Sequence, residues 1–477
     1  MNIKVEKFFK FSWLILFPLI STFPVKAAEW SVDANINQDI SYDDNVTMRE
    51  EEEGSFIYNL TPVVNFAHKT EVSEISANAS YGFQHFFDIP ALGFRERQRY
   101  GIMGEYSLTE RMTWGLSADY SIAPGRDSAQ EDSGIFDDST DRTAFSILPS
   151  ISYKLTERDS LMLFGGYTDT SYSEPKFDFK EASEFKNDQL PNEESKDPNR
   201  DFEDLVSSVI SGAVPSDYEN LHVGFEWSRS WSERFSSSLH TSYSRYESER
   251  NTPRVKVPVT VPDPETFESI ITDDFCGRDN KFTNCVNIPN GYDSVTSESF
   301  DIMVSSRYFL FENWELYGGI GGRFTKTKDN VIHNRDGNDF EPGFLFDVGT
   351  IYTGESLSAD FSISQSNAPS ARNGREEEQF RVSLDLNYII TERLTTALVS
   401  SYQESESISE KGVSTNKRTN FSVQPSVSWR INPDWTVSTS YRYRYQERPV
   451  GDEKEEASSN LYMISLNYRW QGLSISR

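Results

Sequence analysis

Hydrophobic and polar residues alternate along most of the chain after residue 28. Phe145, Ile147 and Ile151 fall on one parity, whereas Ser146 and Ser150 fall on the other. A period of two residues is typical of a strand with one apolar and one polar face. The pattern recurs about 18 times and predicts strands near residues 30–42, 54–68, 73–87, 98–109, 112–122, 143–155, 160–171, 218–231, 235–247, 297–311, 314–325, 341–353, 356–365, 378–390, 393–403, 419–431, 435–446 and 458–470.

The connections between these predicted strands alternate in length. Short polar turns, such as 109–111, 156–158 and 391–393, alternate with polar and acidic segments of roughly 10 to 50 residues. Outer-membrane barrels have short periplasmic turns, long extracellular loops and an even number of strands. The sequence therefore predicts an all-β fold, a transmembrane antiparallel β-barrel of about 18 strands with short periplasmic turns and long acidic extracellular loops.

Aromatic residues mark two levels along the predicted strands. One set lies beside the short turns and comprises Tyr106, Tyr153, Trp231, Tyr308, Tyr388 and Trp429. The other set lies toward the long connections and comprises Tyr42, Tyr120, Tyr167, Tyr243, Tyr402, Tyr441 and Tyr443. Aromatic girdles of this kind flank the apolar band of a membrane barrel. The alternative is that the same aromatics pack in a soluble β core.

Both ends of the chain carry features of an exported barrel. Residues 1–27 contain a basic segment, an apolar run of about 12 residues and small residues before Ala28. The run is shorter than the ~20 residues that cross a bilayer, so we expect a cleaved signal peptide at 1–27 rather than an anchor. Residues 28–477 then form a barrel in the outer membrane of a Gram-negative bacterium. The last predicted strand ends at Trp470, the form expected of a barrel assembly signal, with 471–477 trailing beyond it.

Charge and cysteine content exclude several classes of function. The formal net charge of −29 argues against a nucleic-acid partner, because phosphates bind basic surfaces. The chain has two cysteines, Cys276 and Cys285, both in the predicted loop 248–296. In an oxidising compartment a local disulfide is the default, and a free or metal-binding pair is the alternative. We therefore predict a Cys276–Cys285 disulfide that holds this loop.

The polar parity of each strand is predicted to line the lumen. It is rich in small residues, and charges of both signs interrupt them. The lumen-lining candidates are Asp119, Glu226, Ser238, Asp301, Arg307, Gly321, Arg323, Asp360, Ser362, Arg381, Asp385, Arg430, Arg442 and Arg444. Charges of mixed sign suit a neutral or polyhydroxylated cargo better than a single type of ion. The alternative is that these charges pair across neighbouring strands and only solvate the wall.

Two of the long connections carry further signals. Residues 202–210, within loop 172–217, have the apolar spacing of a short amphipathic helix. We expect that helix to cap the mouth from outside, with a constriction inside the lumen as the alternative. The acidic tracts 50–53 and 127–141 are interpreted as solvated loops, with cation binding as the alternative.

Catalysis has little support in the sequence. His85, His222, His240 and His333 show no motif spacing with a carboxylate or serine. His222 and His240 share the lumen parity on adjacent predicted strands. We expect no enzyme, no catalytic residue, no metal site and no cofactor.

Three short motifs resemble those of the β-barrel porin type 2 family. Tyr42-Asp43-Asp44-Asn45-Val46 resembles a Tyr-x-Asp-Asn-aliphatic signature, and the segments 149–153 and 425–429 resemble its proline-led strands. The resemblance implies an outer-membrane barrel, embedded in outer-membrane lipid and lipopolysaccharide, that exports an extracellular polysaccharide. It also implies an inner-membrane synthase and a periplasmic export protein as partners. The alternatives are a general diffusion or uptake porin for small solutes, and a surface-display barrel whose acidic loops bind a partner.

Overall fold

A computed structural model describes the chain over thirteen ranges. They are residues 28–50, 52–90, 92–124, 141–173, 216–251, 256–258, 285–287, 292–329, 335–336, 340–369, 376–407, 417–450 and 453–476. The predicted signal peptide, Cys276, residues 174–215 of the loop with the predicted helix, residue 51 of one acidic tract and residues 127–140 of the other lie outside these ranges.

Every secondary-structure element in the described ranges is a β-strand. The strands are β1 Glu29–Asp43, β2 Ser55–Lys69, β3 Ser73–Phe86, β4 Phe94–Thr109, β5 Met112–Pro124, β6 Asp141–Lys154, β7 Asp159–Tyr172, β8 Asp217–Ser230, β9 Phe235–Asn251, β10 Lys256–Pro258, β11 Cys285–Asn287, β12 Tyr292–Phe311, β13 Trp314–Asp329, β14 Arg335–Asp336, β15 Glu341–Thr353, β16 Leu357–Pro369, β17 Glu376–Ile389, β18 Leu394–Ser407, β19 Arg418–Arg430, β20 Trp435–Val450 and β21 Glu453–Ser476. Within these ranges, no helix is long and apolar enough to cross a membrane.

Eighteen of these strands form one closed antiparallel barrel. Each long strand pairs with its neighbour along the chain, and β1 pairs with both β2 and β21, which closes the sheet. The two-residue β14 adds a nineteenth member at the end of β13, while β10 and β11 form a separate two-stranded sheet. The predicted all-β barrel of about 18 strands is confirmed.

The two ends of the barrel differ in their connections. We call the end with connections such as 70–72, 110–111 and 312–313 the turn end, and the opposite end the loop end. Six turns begin with Thr, Ser or Asn, and the side-chain oxygen accepts hydrogen bonds from the amides two and three residues later; these residues are Thr70, Thr109, Thr156, Ser232, Thr391 and Asn432. This local hydrogen bonding explains why the Thr-Glu-Arg sequence recurs at the turns.

The outer surface of the barrel is apolar. Large hydrophobic side chains such as Ile40, Val304 and Ile464 are exposed on the parity that points away from the lumen. Aromatic residues stand exposed on the same face near the turn end, among them Tyr153, Tyr308, Tyr388, Trp231 and Trp429. This belt is the surface that faces lipid in membrane barrels.

The first and last strands meet at a seam fixed by the motif around Asp43. Asp43 accepts hydrogen bonds from Arg444 of β20 at 2.7 Å and from Ser459 of β21 at 2.6 Å. Asp44 accepts from both the backbone amide and the side-chain amide of Asn460, and Asn45 donates to the carbonyl of Ser458 at 3.0 Å. The Tyr-Asp-Asp-Asn-Val segment therefore joins β1 to the two strands that come last in the chain.

The sequence underestimated the length of the last strand. Residues 471–476 do not trail beyond the barrel but continue β21 and pair with β1. The register shifts by one residue between Val32 and Ala34 of β1, opposite Gly472, which has φ of +75°. A β-bulge of this kind inserts one residue and inverts the parity of the residues after it. Likewise, β20 and β21 extend to Val450 and from Glu453, where a longer loop was predicted.

Gly472→Ala is expected to weaken the seam at the turn end. A Cβ at this position would lie 1.7 Å from the Val32 carbonyl oxygen, and its φ is costly for any other residue. We expect a loss of about 2 kcal/mol, measured as a lower temperature at which the folded band converts to the unfolded one on gel electrophoresis. Gly104→Ala is the matched control, because its Cβ would be no closer than 3.8 Å to any neighbour. Equal unfolding temperatures for both variants would show that the bulge does not need glycine.

Candidate functional site

The lumen is lined by the parity opposite to the apolar belt. On β1, Ile36 and Ile40 are exposed outward, whereas Asp39, Ser41 and Asp43 are buried on the other face. Strand register carries this parity around the barrel, so one face of every strand points inward. All fourteen candidates named from the sequence lie on this inward face.

The barrel is wide enough to hold a passage. Eighteen strands spaced about 4.8 Å apart and tilted by about 40° give a backbone diameter of roughly 35 Å. Inward side chains fill the interior of a barrel with about eight strands but not one of this size. The space inside is therefore the candidate site.

The inward charges on β12 and β13 are paired with one another. Arg323 contacts both carboxylate oxygens of Asp301 at 2.6 Å, and each side chain is only 13% exposed. Arg307 contacts Glu315 at 2.8 Å. Such pairs cancel most of the charge that either partner would present to a solute.

The inward arginines of the later strands are held by polar partners. Arg381 donates to Gln403 at 3.0 Å, and Arg442 donates to Gln424 at 2.7 Å. Arg430 donates to a backbone carbonyl at the turn end, and Arg444 is bound to Asp43 in the seam. The mixed charges predicted for the lumen are therefore largely engaged within the wall.

Other candidates stand beside hydroxyl groups or weaker partners. Ser362 shares a hydrogen bond of 2.6 Å with Ser383, and Ser238 lies opposite Ser228 and Ser305 in the register. Similar cross-strand hydroxyl pairs join Ser160 with Ser228 and Ser401 with Ser422. The remaining candidates have other neighbours: Asp119 lies 3.8 Å from Arg99, Glu226 lies 3.7 Å from His240, Asp360 faces Asp385 across β16 and β17, and Gly321 faces Met303.

Sequence reasoning missed an amide-rich patch on the first strands. We define the amide patch as Asp33, Asn35, Asn37, Asp39, Asn59 and Asn65, all inward on β1 and β2. Asn37 and Asn59 donate to the two carboxylate oxygens of Asp39, and Asn65 donates to Asp33 at 2.9 Å. The sequence does carry the signal, because Asp or Asn occupies every second position from 33 to 39.

A second missed feature is a basic run on β4. Arg95, Arg97 and Arg99 occupy successive inward positions. Arg95 donates to the Leu92 carbonyl at 3.0 Å, and Arg97 donates to Gln84 at 3.1 Å. Arg95 and Arg97 precede residue 98, where this strand was predicted to begin, whereas Arg99 lies inside the predicted strand and was not singled out.

Inward side chains are more deeply buried toward the loop end. Inward side chains there, among them Tyr246, Ser297 and Ser405, are at most 1% exposed. Arg418 and Glu377 are equally buried and lie 4.0 Å apart. The connection after β1 also turns inward, since Val46 packs with Ile57, Phe86 and Leu92 in a small apolar cluster. The part of the lumen with solvated walls is therefore the half nearer the turn end.

These features define the class of protein. A closed barrel satisfies its strand hydrogen bonds internally, which is the condition for crossing a bilayer with strands. Its outer belt is apolar and its interior is polar. The protein is a transmembrane β-barrel of the outer membrane. Within the described ranges no cluster of three or more side chains could hold a metal ion.

Several solved structures are similar to this chain. The copper transporter OprC matches with a TM-score of 0.41 and 10% identity, over 92% of this chain and 81% of its own. The alcaligin outer membrane receptor FauA from Bordetella pertussis matches with a TM-score of 0.41 and 12% identity, over 94% and 77%. The ferric-catecholate import receptor Fiu from E. coli K12 matches with a TM-score of 0.43 and 10% identity, over 92% and 82%. No protein-family model and no curated protein matches the sequence.

Proposed function

We propose that the barrel conducts a polyhydroxylated chain, an extracellular polysaccharide, across the outer membrane. The observation that carries this proposal is the chemistry of the solvated half of the lumen. Its wall is rich in hydroxyl and amide side chains, and several of its arginines are bound to carboxylates or amides of the same wall.

A hydrated sugar chain is the cargo that such a wall suits best. Its hydroxyl groups both donate and accept hydrogen bonds, as do serine and asparagine side chains. Many weak and exchangeable hydrogen bonds allow the chain to move, whereas a strong field of one sign would favour small ions. The amide patch adds a concentrated set of such groups on β1 and β2.

Transport of the polysaccharide from the periplasm to the cell surface is part of the proposal, and this direction rests on the sequence resemblance. In this orientation the turn end lies in the periplasm and the loop end at the cell surface. Polymer synthesis and a periplasmic export protein that docks at the turn end supply the driving force. The barrel itself contributes passive guidance.

An open diffusion porin is the less favoured function. A freely permeable pore needs a solvated path along its whole length. The inward side chains at the loop end, such as Tyr246 and Arg418, are instead buried. In this proposal the lumen is therefore closed at rest and opens for the polymer only when the periplasmic partner docks, whereas a porin would conduct steadily.

Deletion of the gene in its own bacterium tests the proposed function. We expect surface polysaccharide to fall to near background while growth on small nutrients stays at the wild-type rate, because the cargo is a polymer. Complementation with the wild-type gene is the control and should restore the polymer. Unchanged polysaccharide together with slower uptake of a small solute would replace export with the diffusion porin.

A further inference from the structure

Phe164 on β7 points into the lumen, and its ring reaches over the neighbouring strand β8. It faces Gly224 of β8 in the register, and a Cβ on that glycine would be 2.2 Å from the Phe164 Cζ atom. The ring therefore occupies the space that a side chain on β8 would take. It continues across β8 to stack on His240 of β9, with ring centroids 5.1 Å apart and planes 23° apart.

The same arrangement occurs in the opposite direction on the same two strands. His222 of β8 faces Gly166 of β7, and a Cβ there would be 2.1 Å from the imidazole Cε1 atom. Glu226 lies 3.7 Å from the His240 imidazole. The Phe164 ring thus lies near two imidazoles, one of which contacts a carboxylate.

Tyr317 on β13, four strands away, is a second inward ring that lies opposite a glycine. It faces Gly349 of β15, where a Cβ would be 2.4 Å from the Tyr317 Cζ and hydroxyl atoms. The ring reaches over β15 toward β16, where Ser362 lies opposite Gly349 in the register. Arg307 is the register partner of Tyr317 on β12.

We propose that Phe164 and Tyr317 are stacking platforms for the pyranose rings of the cargo. This inference rests on the proposed function and names the binding positions within it. Both rings are inward and partly exposed, and each reaches over a glycine of the next strand that leaves room for it.

The chemistry around each ring selects for a sugar. The C–H groups on one face of a pyranose carry partial positive charge and fit the negative face of an aromatic ring. The hydroxyl groups at the pyranose edge then need acceptors and donors in the plane of the wall. Glu226 and His240 supply them beside Phe164, and Ser362 and Arg307 supply them beside Tyr317.

Binding of maltohexaose to the full-length protein in lipid nanodiscs tests the proposal, because both barrel ends remain accessible there. Titration calorimetry should detect binding to the wild type and a dissociation constant raised about fivefold by Phe164→Leu and by Tyr317→Leu. Phe164→Tyr and Tyr317→Phe keep a ring and should retain the wild-type constant. Polyethylene glycol of similar mass has no pyranose face and should bind to none of them.

Val399→Ala is the matched control, because Val399 is an inward apolar side chain without a ring and is 48% exposed. It should leave the dissociation constant unchanged. If the wild type binds maltohexaose and both leucine variants bind it equally well, the platforms are wrong and the proposed function survives. If the wild type binds maltohexaose no better than polyethylene glycol, the platforms are wrong, and the deletion experiment decides the proposed function separately.

Discussion

Replacing Asp43 with alanine is expected to prevent most of the chain from reaching the folded, heat-modifiable barrel. The Asp43 and Arg444 side chains are 4% and 9% exposed, and they form a charge-assisted hydrogen bond of 2.7 Å at the seam. Removal of one partner of a buried ion pair leaves the other charge buried and typically costs about 3–5 kcal/mol. This loss of stability would occur at the seam, where the sheet closes.

A double variant and a control distinguish the effect of the ion pair on folding from the effect of the other contacts at the seam. Asp43→Ala combined with Arg444→Ala removes both charges and should recover part of the folded fraction. Asp33→Ala, on the same strand but only half-buried, should fold nearly as well as the wild type. A folded fraction for Asp43→Ala that equals that of Asp33→Ala would contradict the role of the ion pair.

Tryptophan at Ser238 or Ser362 is expected to reduce polysaccharide export at least tenfold while the barrel still folds. Both serines point into the solvated half of the lumen, where an indole would obstruct a polymer and remove a hydroxyl contact. Surface polysaccharide, with the amount of heat-modifiable barrel as reference, is the measurement. Gly321 is unsuitable for this test, because a Cβ there would lie 2.3 Å from the Ile302 carbonyl oxygen and would disturb the wall itself.

Ser306→Trp provides the matched control for the blocking variants. Ser306 is on the outward parity of β12, so its indole would face lipid. It should export normally. Equal export by the inward and outward variants would show that the polymer does not pass through this lumen.

The strands could be predicted because period two persists along each one, and β21 shows where that signal fails. Tyr468 and Trp470 face lipid on even positions, whereas Leu473 and Ile475 are exposed on odd ones. The bulge at Gly472 inverts the parity, so the alternation ends in the sequence while the strand continues. A single-residue bulge is a property of pairing with β1 and leaves only a glycine in the sequence.

Inward residues could be assigned by parity, but their partners could not. Asp301 and Arg323 meet because β12 and β13 are in one particular register, and a shift of one residue would turn the whole face outward. The two rings that reach over a glycine depend on register in the same way, since Phe164 needs Gly224 directly opposite. His222 and His240 were recognised as inward but had no role until the ring between them was placed.

The seam also constrains the order in which the protein can mature. Asp43 and Ser459 are 416 residues apart, so the carboxylate made early in synthesis finds its donors only when nearly the whole chain has been delivered. Closure of so long a loop is entropically slow and adds little until the final contacts form. An interrupted chain would expose an unpaired strand edge and an unmatched charge together, which distinguishes it from a finished barrel. Asp43 therefore has all of its hydrogen-bond donors only in a chain that extends through Ser459.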